Sequence, residues 1–352
     1  MSLHVGLIGT GFWSGVHLAA LEECTDVGRV TLCGRSDSRL AELAATSSKV
    51  VAEVRSLEQL CNEKAIDVVD IVLPHDLHAA AALAALAAGK HVICEKPAAL
   101  SLAQFDEVAA AAERAGRRWL VVMNQLYNPR LAALKRLVDD GLVGRPFLLV
   151  ENAYSHHVAS YLDPRAWRTR IARAGGGVLI DGGYHMVYKH LELLRSCGAP
   201  RWVLGDASQL NLGTNGAGCA DLGEDFVQYV IGFDGPLRVG ASHAWTLPAN
   251  ISRPWEGFLA GSEAVVEMPQ GIDGHVALRN GAGLEPVPLP APLAQPRSDT
   301  LRLCLADYLG AIAEDRAPEQ ENLAAARLTL EIILAVYESG RTGHRVALES
   351  RL

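Results

Sequence analysis

The chain is poor in the features that would make it a disulfide scaffold, a nucleic-acid binder or a membrane span. Its seven cysteines (Cys24, Cys33, Cys61, Cys94, Cys197, Cys219 and Cys304) are odd in number and widely separated. No close pair suggests a zinc knuckle or a redox dithiol, which is the pattern of free thiols in a reducing compartment. Lys and Arg total 32 against 40 Asp and Glu, a formal net charge of -8 without a dense basic run, so nothing favours holding a nucleic-acid backbone. The longest apolar region, Ala79 to Ala88, is too short to cross a bilayer. The opening Met1-Ser2-Leu3-His4-Val5 lacks the charged and apolar regions of a signal peptide. The expectation is a soluble cytoplasmic protein with no nucleic-acid or membrane partner.

What the chain does have is apolar content, 49% over 352 residues, enough for two packed cores rather than one. Its first part alternates as a parallel sheet with crossover helices requires. Strands are expected at His4–Ile8, Val30–Cys33, Val50–Ala52, Asp67–Leu73, Lys90–Cys94 and Trp119–Met123. Helices are expected between them at Gly15–Glu23, Ser38–Thr46, Ala80–Ala88 and Leu102–Arg114. The character changes after Asn124. A helix over Asn128–Asp140 and a strand over Phe147–Ala153 precede a polar loop, a glycine run and a helix from about Tyr184 to Arg195. Strand-rich sequence follows Pro200, with Asp234-Gly235 as a hairpin signal. Leu284 to Ser298 reads as an irregular excursion before closing helices at Leu301–Ile312 and Asn322–Ser339. The expected fold is α/β: a Rossmann-like dinucleotide-binding domain over residues 1–123, then an α+β domain with an open, mainly antiparallel sheet over 124–352.

Gly9-Thr10-Gly11-Phe12-Trp13-Ser14 lies directly after the first strand and directly before a helix. A dinucleotide loop needs a tight turn at Gly9, close backbone approach at Gly11, and free helix-start amides for the pyrophosphate. Ser14 stands where a third glycine is usual. At the end of the second strand the chain reads Cys33-Gly34-Arg35-Ser36 in place of an acid. Arg35 and Ser36 suit a 2'-phosphate, so NADP is expected; Asp37 leaves NAD open. Pro74-His75-Asp76-Leu77-His78 follows the fourth strand and should line the nicotinamide half, with His78 also fixing the next helix. His75 and His78 have no further ligands nearby in sequence, so no metal is expected.

Glu95-Lys96-Pro97 ends the fifth strand, placing a cation and an acid at the cofactor edge. Proline restricts the backbone there, and Lys96 suits the stabilisation of negative charge on a carbonyl being reduced. Further on, Asp181 and His185 are four apart on a helix start just past Gly175-Gly176-Gly177. Such a pair shares a helix face: His185 would exchange a proton with a hydroxyl, while Asp181 orients it or supports nearby positive charge. The glycine run is read as letting the backbone approach a ligand. Lys96 and His185 are expected to meet at one reacting carbon, with the immediate proton donor left open between them. Asn124, Tyr127, Trp167, Arg168 and Tyr184 are candidate substrate contacts, with His156, His157 and Tyr161 in a covering loop.

The glycine loop, the segment from Pro74 to His78, Glu95-Lys96-Pro97, Trp167-Arg168, Gly175 through His185, and Tyr337-Glu338-Ser339 before Gly343 together resemble the Gfo/Idh/MocA oxidoreductase family. The resemblance implies reversible hydride transfer at a hydroxyl or ketone of a sugar, amino sugar or cyclitol. It implies Lys96, Asp181 and His185 as catalytic residues, and a Lys-Pro bond that is often cis. It also implies a sheet face that often builds a dimer or tetramer, and closing helices that return toward the first domain. Gly34 and His75-Asp76 depart from the family pattern. An NAD-dependent glycosidase that oxidises transiently, or a non-catalytic NAD(P)- and sugar-sensing protein, are the alternatives.

Overall fold

The computed structural model describes residues 2–157, 163, 166–211, 221–251, 255–269, 276–281, 283–320 and 323–349. The backbone divides into two compact units, Met1–Tyr127 with Gln295–Ala326, and Asn128–Ala294 with Arg327–Leu352.

The first unit is built on a six-stranded, wholly parallel sheet. Its strands are β1 (Leu3–Ile8), β2 (Val27–Cys33), β3 (Val50–Val54), β4 (Val68–Ile71), β5 (His91–Glu95) and β6 (Trp119–Val122), in the order β3-β2-β1-β4-β5-β6. This is the doubly wound arrangement expected from the alternation, and the order reverses between β1 and β4. β1 and β4 are buried along their whole length, as strands covered on both faces must be. The helices are α1 (Phe12–Glu23), α2 (Asp37–Ala44), α3 (Leu57–Asn62), α4 (His78–Ala87) and α5 (Leu102–Ala115). Ser36, Ser56 and Ser101 each accept a backbone N–H from the first turn of the helix they open. Gly116 ends α5 in the left-handed conformation, φ 58°. The sequence reading omitted α3, although Ser56 followed three residues later by Gln59 is a helix-start signature.

The core of this unit is completed from far along the chain. In the numbering used here α6 is Pro129–Asp139, α7 Ile171–Ala174, α8 Tyr184–Leu193, α9 Pro296–Ala313 and α10 Leu323–Thr342. Leu301, Leu305, Tyr308 and Leu309 of α9 join Leu18 and Leu21 of α1 in one buried cluster, and the Tyr308 hydroxyl donates to the Val121 carbonyl at 2.8 Å. Helix α9 starts five residues before the predicted Leu301. Pro296 occupies its first turn, where a missing N–H costs nothing, so a proline-rich stretch opens the helix rather than preventing it.

The second unit carries a nine-stranded sheet in the order β14-β13-β12-β11-β7-β10-β9-β8-β15. The strands are β7 (Pro146–Tyr154), β8 (Pro200–Ser208), β9 (Phe226–Phe233), β10 (Arg238–Ala244), β11 (Trp255–Gly261), β12 (Val265–Met268), β13 (Ala277–Asn280), β14 (Gly283–Pro286) and β15 (Val346–Ala347). β7 and β10 pair in parallel and the other pairings are antiparallel. The Asp234-Gly235 signal is the β9–β10 connection, with Gly235 at φ 68°. β14 overlaps the start of the stretch read as irregular; its four residues are all exposed and show no alternation to betray a strand. Among the described residues, no helix is long and apolar enough to cross a membrane.

Leu305 is completely buried between α1 and the sheet. Leu305→Ala should lower the unfolding free energy by about 2–5 kcal/mol, read as a drop in the midpoint of chemical denaturation monitored by circular dichroism.

Candidate active site

The residues expected to hold a cofactor lie at the carboxyl edge of the parallel sheet, beside the β1/β4 reversal, where ligands bind in this class of sheet. Gly9 takes φ +127°, and a Cβ there would sit 2.1 Å from the Val72 carbonyl oxygen, so only glycine makes this turn. Gly11 is different: nothing lies within 4 Å of where its Cβ would be. It is the N-cap residue of α1 and supplies no side-chain cap, leaving the first-turn amides of Phe12 and Trp13 to a ligand. This geometry fits a dinucleotide pyrophosphate. The exposed Phe12 ring packs edge-on against Trp13.

The end of β2 does not have the chemistry expected of it. The Ser36 hydroxyl caps α2 by accepting the Arg39 N–H at 3.5 Å, and Arg35 is exposed. A Cβ at Gly34 would meet the Thr10 methyl at 2.3 Å, which accounts for glycine where an acid is frequent. Asp37, in the first turn of α2, is paired with Arg55 at 2.6 Å and remains largely exposed.

Pro74 leads into a short 3-10 turn, His75–Leu77. His75 is buried beside His78, ring centroids 5.7 Å apart. The two ring nitrogens of His78 face the carbonyls of Leu73 and Pro97, 2.7 Å from each. His78 thus braces the turn after β5 against the end of β4. That turn carries Lys96, which is buried, and the Lys96–Pro97 bond is cis. Glu95 is anchored twice: one oxygen accepts the Lys96 N–H at 3.0 Å, and the other lies 3.1 Å from His17 Nε2.

Asn124 and Tyr127, expected to contact substrate, are committed to holding α9. Asn124 Nδ2 donates to Thr300 Oγ1 at 2.9 Å, and the Tyr127 hydroxyl donates to Asp307 Oδ2 at 2.6 Å. Burial, with Cys304 and Asp307 adjacent, pushes the Tyr127 phenol far up.

In the second unit, one wide helical turn, Leu179–Gly183, precedes α8 and carries Asp181. Wide turns of this kind recur at functional sites. The structure brings Trp167, Arg168 and Asp181 together: the Arg168 guanidinium lies 4.5 Å over the Trp167 ring, and its Nε is 3.4 Å from Asp181 Oδ2. Asp181 and His185 are both half-buried, and His185 Nδ1 lies 2.6 Å from the Tyr188 hydroxyl. Tyr184 is turned into the core against Tyr188. Tyr161 lies outside the described residues.

The glycine run before this turn is filled by protein. A Cβ at Gly176 would meet the Tyr337 hydroxyl at 2.1 Å, and one at Gly177 the Glu224 carbonyl oxygen at 1.9 Å. The buried Glu224 carboxylate accepts the Gly177 N–H at 2.7 Å, the Leu179 N–H at 2.9 Å and the Tyr337 hydroxyl at 2.9 Å. The glycines admit this acid to the amides at the start of the helical turn, and burial raises its pKa. Sequence reasoning missed Glu224, whose donors lie about 45 and 113 residues away. It also missed His243 and Trp245, which press on Gly182 from the end of β10. Burial pushes the His243 imidazole down to about 4, so a neutral ring backs Asp181.

The family model for oxidoreductases with an NAD-binding Rossmann fold matches residues 3–123. The chain is 29% identical over 360 residues to 1,5-anhydro-D-fructose reductase of Ensifer adhaerens, covering 99% of each. It is 30% identical to inositol 2-dehydrogenase of Salmonella typhimurium over 173 residues, 47% of this chain and 50% of that one. Levoglucosan dehydrogenase solved with NADH superposes with a TM-score of 0.85 at 22% identity, covering 99% of this chain and all of that one. The model matched over that first stretch is the one of the Gfo/Idh/MocA oxidoreductases. The chain's six-stranded parallel sheet lies within the stretch matched by that NAD-binding Rossmann model. The expectation of NADP is corrected by these findings: levoglucosan dehydrogenase holds NADH alone, with levoglucosan and with L-sorbose. The physical reason lies at the end of β2, where Ser36 caps α2 and the Asp37 carboxylate stands in the first turn of that helix.

Gly177→Ala should destabilise the second unit by about 1–3 kcal/mol or more, because the added methyl meets backbone rather than a movable side chain. The check is thermal unfolding, compared with Gly11→Ala, whose methyl enters open space.

Proposed function

We propose that the protein transfers a hydride between NAD and a ring hydroxyl or ketone of an anhydro sugar, with Lys96, Asp181 and His185 as its catalytic residues. The observation that carries the substrate class is the end-to-end likeness to an anhydrofructose reductase. NAD, when bound, supplies the hydride acceptor or donor; the rest of the chemistry falls to side chains. Gly9, Thr10, Gly11, Phe12 and Trp13 grip the pyrophosphate at the head of α1. Asp37 is the acid available to the adenosine ribose hydroxyls, taking the place the missing acid at Gly34 would fill. Pro74, His75 and Glu95 line the approach to the nicotinamide, behind which His78 is the brace.

Lys96 steadies negative charge on the substrate oxygen as the carbonyl forms or is consumed. His185 exchanges the hydroxyl proton through Nε2, since Nδ1 is engaged by Tyr188. Asp181, with neutral His243 behind it and Arg168 beside it, orients the substrate and balances the charge of its cationic neighbours. Trp167 and Arg168 offer a flat apolar face and hydrogen-bond donors to a sugar ring. We further propose that the protein works in the cytoplasm as a homodimer or homotetramer joined through the nine-stranded sheet.

Fluorescence titration should give tighter binding of NADH than of NADPH, and a panel of anhydro sugars, polyols and ketoses should yield turnover with NAD. Equal or tighter NADPH binding would remove the assignment of Asp37. Lys96→Ala should lower kcat by about 100-fold, the scale of a positioned acid–base group, with NADH still bound. Full turnover in that variant would sink the role given to Lys96.

A further inference from the structure

Beneath the cofactor edge of the first unit lies a buried three-group chain that the proposed chemistry does not use directly. His17, in the second turn of α1, is fully buried. Its Nδ1 lies 2.8 Å from Asp70 Oδ2 on β4, and its Nε2 lies 3.1 Å from Glu95 Oε1 at the end of β5. Asp70 is fully buried as well, and the Glu95 side chain is 17% exposed. A neutral imidazole has one N–H and would turn a lone pair toward one of the two acids; an imidazolium donates to both. Two carboxylates withdrawn from water without a cation would cost several kcal/mol each. The ring therefore fits its surroundings with both nitrogens protonated. The other oxygen of Glu95 accepts the Lys96 N–H. One uninterrupted path thus runs from the helix that heads the pyrophosphate site, through His17 and Glu95, to the backbone of Lys96.

We infer that His17 is a positioning residue: a permanently charged imidazolium that sets Lys96 relative to the coenzyme helix by holding Glu95 in place. The inference rests on the role proposed above for Lys96. Burial by itself would lower the His17 pKa; Asp70 and Glu95 outweigh it and raise it to about 10. The same contact keeps Glu95 below the usual carboxylate range despite burial. The other titratable groups facing this chain are Cys94 on β5, His78 on α4, Lys96 and Cys304 on α9. The buried thiols of Cys94 and Cys304 are raised, so they stay protonated and add no charge at neutral pH.

The charge count makes the inference testable. Asp70, His17 and Glu95 sum to one negative charge. His17→Gln leaves two negative charges facing one another, and Glu95 then either takes up a proton or swings away, releasing the Lys96 amide. Adding Asp70→Asn removes the excess. His17→Gln should lower kcat by about 10- to 100-fold, the scale of a small misplacement at a reacting group, with the Kd for NADH within about 3-fold of wild type. The His17→Gln, Asp70→Asn double variant should regain at least half of the logarithmic loss, whereas two merely structural lesions would add. Nitrogen-15 NMR of histidine-labelled wild-type protein at pH 8 should report both His17 nitrogens as protonated. A His17 ring with one bare nitrogen at pH 8, a His17→Gln variant with unchanged kcat, or a double variant no faster than the single one overturns the inference. The NMR measurement needs no sugar substrate, so a failure here is distinguishable from a failure of the proposed activity.

Discussion

A carboxylate withdrawn from water calls for donors, and each unit of this protein has buried acids met by them, although Asp70 Oδ1 is left without one among the described residues. Asp70 and Glu95 share His17 in the first unit. In the second, Glu224 takes two backbone amides and a phenol, and Glu151 of β7 takes Lys189 and His190 of α8. Burial would raise the Glu151 pKa, yet the Lys189 ammonium and the His190 contact hold it well below the ordinary range. Asp225 accepts the Leu210 and Asn211 amides and the Thr246 hydroxyl. Each of these contacts joins segments remote in sequence. Those of Glu95, Glu224 and Glu151 also lie next to a residue proposed for the chemistry or on the element that carries it, so there the folding constraint and the placement of the proposed site are met by the same atoms.

Glycine plays two opposite parts in this protein. At Gly9 and Gly177 the missing side chain is occupied by the protein's own backbone. At Gly11 the space is empty, as a position kept clear for a ligand should be. The run Gly175-Gly176-Gly177 therefore does not open the backbone to a ligand, as the sequence suggested; it lets Glu224 and Tyr337 reach the helical turn that bears Asp181. Its contribution to the site is one step removed.

Much of the first unit was legible because its signals are local. Apolar runs of strand length and the turn residues between them act within a few positions, and they yielded the parallel sheet, the glycine loop and the place of Lys96 at the end of β5. The second sheet was legible as strands, though not in order, because pairing partners such as β7 and β10 lie far apart. Asn124 and Tyr127 were read as pocket residues because their partners on α9 are 176 and 180 positions away and nothing nearby announces them. His17 looked like any polar residue in a helix; its significance depends on which strands run beneath α1. The coenzyme reading failed for a different reason. Arg35 and Ser36 have the right chemistry for a phosphate, but Asp37 sets a carboxylate in the very next position, at the start of α2.

The contact between Gly34 and the Thr10 methyl has a consequence for how coenzyme choice can change in this protein. The position proposed to discriminate at the adenosine end and the loop proposed to hold the pyrophosphate occupy one shared volume. A carboxylate introduced at the tip of β2 has to displace Thr10 before it reaches a ribose. Selectivity and phosphate grip are mechanically geared to each other here, so evolution or engineering has to alter both positions in concert.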